Sequence, residues 1–404
     1  MNQITQPLKG FRDFLAADAL KRCWLKNRLE EIFALWGYDP METPTLEPLE
    51  LFAGQIGEDE KLFYQFEDNG GRKVALRYDQ TVPTCRVVGA NWQELENPFK
   101  RYQIQAAFRA ENPQKGRYRE FVQADADIFG IPGPAADAEV ISLSLDIYRR
   151  LGFQKPLLLI NDRSLLKNIP YAAIASVDKL DKIGEKGVIE DMVKKGILEA
   201  QAEIYFNFIR NIKPNDTIKT IFSYLETYGF PADWFRFEPT LARSFSYSTG
   251  PIWEVKLPET GMSGSVLGGE RYDLLIEKIS GKKIPGTGFG LGFDRTLEAC
   301  ESQNLVPKTN TTSKVLVTVF SPDLFLKSLT VVEALRTKGI NAELFPDSDV
   351  KLEKQIKFAV KKEIPYLVII GPDEVASEKV TLKNLSAATQ ETIGLSELSD
   401  KLLN

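Results

Sequence analysis

Residues 108–127 read FRAENPQKGRYREFVQADAD, and this stretch decides the fold. Its first residues end an apolar strand, residues 113–116 form a basic turn, and strand-like alternation begins at Arg119. Because successive side chains of a strand point to opposite faces, Gln123, Asp125 and Asp127 share one face. Acids gathered beside an arginine are costly in a core unless they are paired. The stretch therefore predicts a strand–loop–strand site that uses both signs of charge, as a nucleotide phosphate and a cationic substrate would require.

Composition is that of an ordinary soluble globular chain of two or three domains. The 404 residues are 26% charged and 43% hydrophobic, with a net charge of -5. Any nucleic-acid contact must therefore come from local basic patches. The three cysteines are far apart and form no metal or disulfide pattern. With no signal sequence and no apolar run long enough to span a bilayer, we expect a cytoplasmic protein without membrane contact.

Histidine is absent from the chain. The absence excludes Ser-His-Asp and Cys-His catalysis, imidazole general bases and histidine-ligated metal sites. Chemistry must rely on carboxylates, arginines, backbone amides or the charge of the substrate.

Periodicity divides the chain into three regions. Helices are predicted over 16–36 and 135–151, with short strands between them and a buried strand at 157–160. Residues 163–234 are mainly helical and lysine-rich, which indicates an insertion, and strands return over 235–266 before a helix over 291–300. A polar linker at 306–313 precedes residues 314–404, where strands and helices alternate as in a small α/β domain with a largely parallel sheet.

Several motifs occur in an order that resembles the class II aminoacyl-tRNA synthetases, and among them the histidyl-tRNA synthetases. Residues 37–48 resemble motif 1, the opening stretch resembles motif 2, and residues 286–295 (GTGFGLGFDR) resemble motif 3. Further matches are KGFRDF at 9–14, LRYDQTVP at 76–83, SVDKLDK at 176–182 and GGERYD at 268–273. The resemblance implies an α+β catalytic domain, an antiparallel sheet flanked by helices, over 1–305. It also implies a helical insertion near 163–234 and an α/β anticodon-binding domain over 314–404.

The resemblance implies a site for ATP and Mg²⁺. Arg109 would hold the α-phosphate and the substrate carboxylate, since a guanidinium can contact anions with two parallel hydrogen bonds. Glu111, two residues further along what we interpret as a strand, would accept from the adenine amine. Arg295 would hold the γ-phosphate end or stack near adenine, and Arg243 would face the α-phosphate opposite Arg109. The structural alternatives are a salt bridge for Arg109, a buried ion pair for Arg243 and a surface position for Arg295.

The same resemblance implies an amino-acid pocket for L-histidine. Its α-ammonium would contact the segment Asp79-Gln80-Thr81 together with Gln123, and its imidazole would contact Asp127. A solvated strand acid is the alternative for Asp127. No protein-bound metal site is implied.

One motif departs from the family pattern. The family reads Arg-Gly-Leu-Asp-Tyr-Tyr-Thr-Gly where this chain reads RSFSYSTG at 243–250. Arg243 and Tyr247 match, whereas Ser244, Ser246 and Ser248 replace glycine, aspartate and tyrosine. The missing tyrosine normally helps to recognise imidazole, so Ser248 would reach the ring only through water or a closed pocket. Glu270 stands in the same pocket where the family usually has glycine.

Contact with tRNA(His) is expected from the motif 2 loop, through Gln114, Lys115, Arg117 and Arg119. The helical spacing of five lysines places most of them on one face, at positions 351, 354, 357, 361 and 362. Such a face is more often simply exposed to solvent than in contact with phosphates. Motif 1 implies a homodimer.

Two other functions remain open on the sequence. A synthetase-like paralogue could act as a regulatory or binding protein without catalysis, although such paralogues generally lack the anticodon-binding domain. The serine-rich motif would also suit a synthetase with a changed amino-acid preference, because a site with fewer hydrogen bonds to its substrate discriminates less well.

Overall fold

The computed structural model describes residues 5–53, 62–113, 116–242 and 247–403. Within them the chain divides into two compact units, one drawn from residues 1–13 and 25–306 and the other from residues 14–24 and 307–404.

An eight-stranded, mainly antiparallel sheet forms the centre of the first unit. Its strand order is β1-β5-β6-β11-β10-β9-β7-β8, and only the outer pairs β1–β5 and β7–β8 are parallel. The strands are β1 (Asp39–Pro40), β5 (Phe99–Phe108), β6 (Glu120–Phe129), β7 (Leu157–Asp162), β8 (Phe235–Phe237), β9 (Pro251–Lys256), β10 (Leu267–Arg271) and β11 (Gly286–Gly292). The predicted antiparallel sheet and the strand–loop–strand unit of β5 and β6 are confirmed.

A smaller sheet and a short helix precede β5. The sheet contains β2 (Leu46–Pro48), β4 (Lys73–Leu76) and β3 (Gln65–Glu67), in that order, beside α2 (Leu49–Phe52). The next element is α3 (Thr81–Asn91), a helix where we predicted only short strands and turns. Pro83 lies in its first turn, where a missing backbone N–H costs nothing.

Helices pack around the large sheet. They include α4 (Pro134–Leu151), α9 (Asp273–Ser280), α10 (Phe293–Ser302) and, from α1 (Ala16–Leu35), residues 25–35, which belong to this unit. The largely buried α4 has Pro134 at its first position and ends at Gly152 in the left-handed conformation. It packs on β6, β9, β10 and β11. Trp253 of β9 donates to Ser144 of α4 at 3.2 Å, and Arg271 of β10 pairs with Asp137 of α4 at 3.0 Å.

Residues 163–234, which interrupt the sheet between β7 and β8, are helical. The segment contains α5 (Tyr171–Val177), α6 (Leu180–Lys194), α7 (Glu199–Asn211) and α8 (Asp216–Thr227). Apolar side chains of α5, α6 and α7 form their own core around Ile174, Met192 and Phe206. The final helix α8 instead packs on α4, which fixes the segment to the sheet.

The second unit has a five-stranded mixed sheet in the order β13-β12-β14-β15-β16. Its elements are β12 (Val315–Val317), α11 (Phe325–Thr337), β13 (Ala342–Leu344), α12 (Leu352–Lys361), β14 (Tyr366–Ile369), α13 (Pro372–Ala376), β15 (Lys379–Asn384), β16 (Thr389–Gly394) and α14 (Leu395–Leu403). The first three strands are parallel, as predicted, whereas β15 and β16 form an antiparallel hairpin that we did not predict. On α12, Lys357 pairs with Glu353 at 2.6 Å, as on a solvated face.

Candidate active site

A cavity of about 500 Å³ opens on the face of the large sheet opposite α4. Its walls come from β6, β10 and β11, from the segment before α3, and from the loop between β5 and β6. This volume lies within the range of sites that enclose small molecules.

Strand register places polar residues of four strands in rows across this face. Asp127 of β6 lies opposite Arg101 of β5 on one side and Gly288 of β11 on the other. Gly288 in turn lies opposite Glu270 of β10. Directly paired residues share a face of a sheet, so Asp127 and Glu270 stand on either side of a strand position without a side chain. We call this region, with Gln123, the strand end of the cavity.

Asp127 is held from two sides. Arg101 forms a buried ion pair with its carboxylate, and the Tyr272 hydroxyl donates to it. Burial raises the pKa of the Asp127 carboxyl, against the opposing effect of the Arg101 charge. Arg101 was missed in the sequence, because its position opposite Asp127 depends on the register between β5 and β6. Asp125 lies in the next row beneath the cavity wall, and burial raises the pKa of its carboxyl well above its usual value.

Three residues around the start of α3 line the cavity: Tyr78 and Asp79, which precede the helix, and Thr81, its first residue. Asp79 is 6% exposed and accepts from the backbone N–H of Val82 at 3.3 Å, while burial raises the pKa of its carboxyl. Gln80 was predicted to contact the amino acid, but it does not line the cavity. Its fully buried amide donates to the backbone carbonyls of Gln105 and Gln123 at 2.9 Å, so it fastens α3 to β5 and β6.

Arg109 lies immediately after β5, with its guanidinium on the cavity wall. The guanidinium carbon lies 4.2 Å from the centre of the Tyr78 ring and 5.0 Å from that of Phe121. Its Nε donates to the Tyr78 carbonyl at 3.4 Å. Such stacking restricts a flexible side chain before any anion arrives, which lowers the entropic cost of binding one. We call the region around Arg109, Glu111, Arg117 and Arg295 the loop end of the cavity.

The loop after β5 corrects two predictions. Glu111 lines the cavity but lies in the loop, not on a strand, and its carboxylate is 3.5 Å from Arg117. Arg119 does not line the cavity. It donates to the Glu111 carbonyl at 3.0 Å and to the Lys9 carbonyl at 3.3 Å, which makes it a brace for the loop. The exposed Arg117 lines the cavity, whereas Gln114 and Lys115 lie outside the described residues.

Arg295, on the first turn of α10, completes the loop end. Its guanidinium lines the cavity and donates to the Ser263 carbonyl. The preceding Asp294 forms an ion pair with Arg12 at 2.8 Å and accepts from the backbone N–H of Val122 at 3.2 Å. Arg12 belongs to the KGFRDF stretch, whose sequence indicated no role for it. Its ion pair holds the KGFRDF stretch against the start of α10, while the Val122 N–H holds that start against β6.

The departing motif lies at the strand end. Tyr247 lines the cavity, while Ser248 is buried and donates to the carboxylate of Glu270. Arg243, Ser244 and Ser246 lie outside the described residues. Glu270 lines the cavity and was not predicted as a site residue, although its unusual place in GGERYD was a signal. Lys182 of α6 also reaches the wall.

The cavity therefore carries charges of both signs, as residues 108–127 predicted. Its lining includes the cations Arg109, Arg117, Lys182 and Arg295 and the acids Asp79, Glu111, Asp127, Glu270 and Asp294. Across the described ranges, no group of three metal-ligating side chains lies together. In the same ranges no helix has the length and apolar character needed to cross a bilayer.

Comparison with known proteins matches two family models. The model described as histidyl-tRNA synthetase covers residues 10–185, and the one described as anticodon binding domain covers residues 314–404. The histidine–tRNA ligase of Cytophaga hutchinsonii is 35% identical over 98% of both chains. That of Wolinella succinogenes is 34% identical over 95% of this chain and 94% of its own. A crystal structure of histidyl-tRNA synthetase from Nostoc sp. PCC 7120 superposes with a TM-score of 0.84 at 26% identity, over 99% of each chain.

Proposed function

The chain belongs to the histidyl-tRNA synthetase family, and on that premise we propose that it activates L-histidine with ATP and transfers the histidyl group to the 3′ end of tRNA(His). The observation that carries the proposal is one cavity with two chemically different ends. Arg109 and Arg295 stand at the loop end, and buried Asp79 and Asp127 stand near the strand end.

In this proposal the strand end receives the amino acid. Asp79, Thr81 and Gln123 contact the α-ammonium group, and Asp127 accepts a hydrogen bond from the imidazole. Asp127 suits this role because Arg101 and Tyr272 fix its orientation before the substrate binds. Preorganised groups cost no rearrangement at the moment of reaction.

The loop end receives ATP. A histidine carboxylate oxygen attacks the α-phosphorus, the bond from that phosphorus to the bridging oxygen breaks, and pyrophosphate leaves. Two anions approach in this step, so fixed cations must absorb the growing negative charge. Arg109 and Arg243 are our candidates at the α-phosphate, Arg295 at the γ-phosphate and Glu111 at the adenine amine. The stacked geometry of Arg109 supports its assignment.

Mg²⁺ fits this site as an ion that ATP brings. Magnesium keeps several waters and binds through phosphates with one or two carboxylates, so it needs no cage of protein ligands. Asp294, next to Arg295 in the cavity wall, is the carboxylate that could join the phosphates. When bound, the ion would neutralise phosphate charge.

Binding of tRNA follows from the family of the two matched segments. We propose that Arg117, with Gln114 and Lys115 beside it in the chain, meets the acceptor end. The bracing contacts of Arg119 argue against a direct tRNA contact for that residue. We also propose a catalytic domain over 1–305, a helical insertion near 163–234, a linker over 306–313 and an anticodon-binding domain over 314–404. A homodimer and a cytoplasmic location complete the proposal.

The regulatory alternative is less well supported. Such paralogues generally lack an anticodon-binding domain, whereas residues 314–404 match that family model. A changed amino-acid preference rests on the serine-rich motif at 243–250 and on Glu270.

ATP–pyrophosphate exchange tests the proposal. The purified protein is assayed with each of the twenty amino acids, and histidine is expected to give the only sustained exchange. Charging of a tRNA(His) transcript then follows with the same preparation. Exchange with another amino acid would establish altered specificity, and no exchange from folded protein would favour the regulatory paralogue.

A further inference from the structure

Two departures from the family motifs touch each other at the strand end. Ser248 stands where the family has tyrosine, and Glu270 stands where it usually has glycine. The Ser248 hydroxyl donates to the Glu270 carboxylate, and both side chains are buried, with Glu270 5% exposed. The hydrogen bond links two changes that the sequence presents as separate.

Glu270 and Asp127 face each other across a strand that has no side chain between them. Both lie opposite Gly288 in register, from the β10 and β6 sides respectively. A Cβ at Gly288 would overlap the Asp127 carboxylate. With neighbouring strands ~4.8 Å apart, the two acidic residues have backbones roughly 10 Å apart. The Asp127 carboxylate therefore reaches over Gly288 toward β10, and the main chain of β11 floors the space between it and Glu270.

The gap suits a small flat ring with a nitrogen at each side. Two hydrogen bonds of about 2.8 Å each, added to the ~2 Å between imidazole nitrogens, separate the accepting oxygens by roughly 8 Å. Asp127 and Glu270 both line the cavity, so a ring standing over the β11 main chain would have one carboxylate toward each of its nitrogens. A carboxylate offers about four lone-pair sites, so Glu270 can accept from Ser248 and from a ligand together.

We propose that the Glu270 carboxylate, oriented by Ser248, accepts a hydrogen bond from the imidazole ring on the side opposite Asp127. Glu270 is then a specificity-determining residue that takes over the polar role of the family's tyrosine. The inference rests on the proposed function and deepens it: the substrate binds with an N–H on both ring nitrogens. A ring methylated on either nitrogen cannot make one of these two hydrogen bonds.

The first test uses the wild-type protein. The two ring-N-methylated isomers of histidine are titrated as competitors in histidine-dependent pyrophosphate exchange. Because each nitrogen has its own charged acceptor, each isomer loses one hydrogen bond and should compete at least ~10-fold more weakly than unmodified histidine. Competition by either isomer as strong as that of histidine would overturn the assignment.

The second test uses Glu270→Gln. We expect KM for histidine to rise about 10- to 100-fold, with KM for ATP unchanged and kcat within about threefold, because uniform substrate binding is weakened. Rejection of one methylated isomer should weaken while rejection of the other persists. The matched control is Glu254→Gln, on neighbouring β9 and outside the cavity lining, which should leave every constant unchanged. The double variant Ser248→Tyr/Glu270→Gly, which restores the family residues, should recover most of the histidine affinity.

The same measurements distinguish a failure of the proposed function from a failure of the Glu270 assignment. No histidine exchange by wild-type protein would remove the proposed function and the Glu270 assignment with it. Normal exchange by wild-type protein, with KM and isomer rejection in Glu270→Gln equal to wild type, would remove only the Glu270 assignment.

Discussion

The two ends of the cavity are built in different ways. At the strand end, paired strands fix Asp127, Gly288 and Glu270 in one row, and their neighbours bury the two acids. At the loop end, Arg109, Glu111 and Arg117 lie on a connection between strands and are held by stacking and single contacts. The comparison teaches that register positions groups that must discriminate, whereas a loop positions groups that must follow a charged substrate through a reaction.

Replacing Arg109 should produce the largest loss of activity, and the loss should come from the loop end of the cavity without a change at the strand end. Arg109→Ala is expected to lower kcat for pyrophosphate exchange by ~10²–10³-fold, because it removes charge stabilisation that grows in the transition state. Arg109→Lys should recover little, since an ammonium can neither stack nor contact two oxygens in parallel. Exchange kinetics measure both. Arg236→Ala, at an exposed arginine on β8, should match wild type, and the comparison fails if Arg109→Ala does too.

The pH dependence of stability should show how much free energy of unfolding is lost by burying the Asp137 carboxyl on α4. Burial raises the pKa of Asp137 to about 6, despite its ion pair with Arg271. Because the folded state then binds this proton more tightly than the unfolded state, the stability it contributes is fully present below about pH 4 and declines as pH rises through about 6. Relative to Asp137→Asn, wild type should lose about 2–3 kcal/mol over this window. Urea unfolding at several pH values across that window checks the difference, which would stay constant with pH if Asp137 had an ordinary pKa.

Adding a side chain at Gly288, at the strand end, should weaken histidine binding more than ATP binding. In Gly288→Ala the new methyl overlaps Asp127, so KM for histidine should rise about 10-fold with a stability loss of ~1–3 kcal/mol. KM for ATP should change much less. Gly292→Ala is the matched comparison, since its Cβ would meet nothing closer than 3.4 Å and its effect should be smaller. Equal rises in both KM values for Gly288→Ala would contradict the separation of the two ends.

The smallest effect is expected from Arg117→Ala. Amino-acid activation should stay within about twofold, while tRNA charging should fall several-fold and show a weaker dependence on salt, because the variant makes one fewer phosphate contact. Aminoacylation measured from about 50 to 200 mM salt tests this. A parallel fall in pyrophosphate exchange would move Arg117 from tRNA contact to ATP binding.

Local patterns explain which parts of the fold were predictable. Alternation along the strand predicted that Gln123 and Asp127 share a face, whereas the register of β5 against β6 depends on the partner strand and came from the structure. Helix α3 was missed because its apolar residues are interrupted by Pro83, which the first turn tolerates, and by Gly89, whose cost is offset by packing against α9. The β15–β16 hairpin was missed because its polar, exposed second strand has no alternating apolar face.

Long-range contacts explain the errors at the site. Gln80 and Arg119 carry groups suited to ligand binding, but backbone carbonyls distant in the chain use those groups. The Arg12–Asp294 ion pair and the Ser248–Glu270 contact join residues that no local pattern connects. Residue type therefore identified candidate site residues. Only the tertiary contacts distinguished the side chains that face the cavity from those that hold the backbone in place.

The glycine-lined face of β11 has a consequence for how this site can change. Gly288, Gly290 and Gly292 give the cavity a floor made of main chain, so the identity of the bound side chain depends on the side chains around that floor, those of β6 and β10 among them. Selectivity can then be rewritten by paired substitutions on one flank, without rebuilding the surface beneath or disturbing the nucleotide. For protein engineers this makes β10 a natural position for a library directed at non-natural aromatic amino acids.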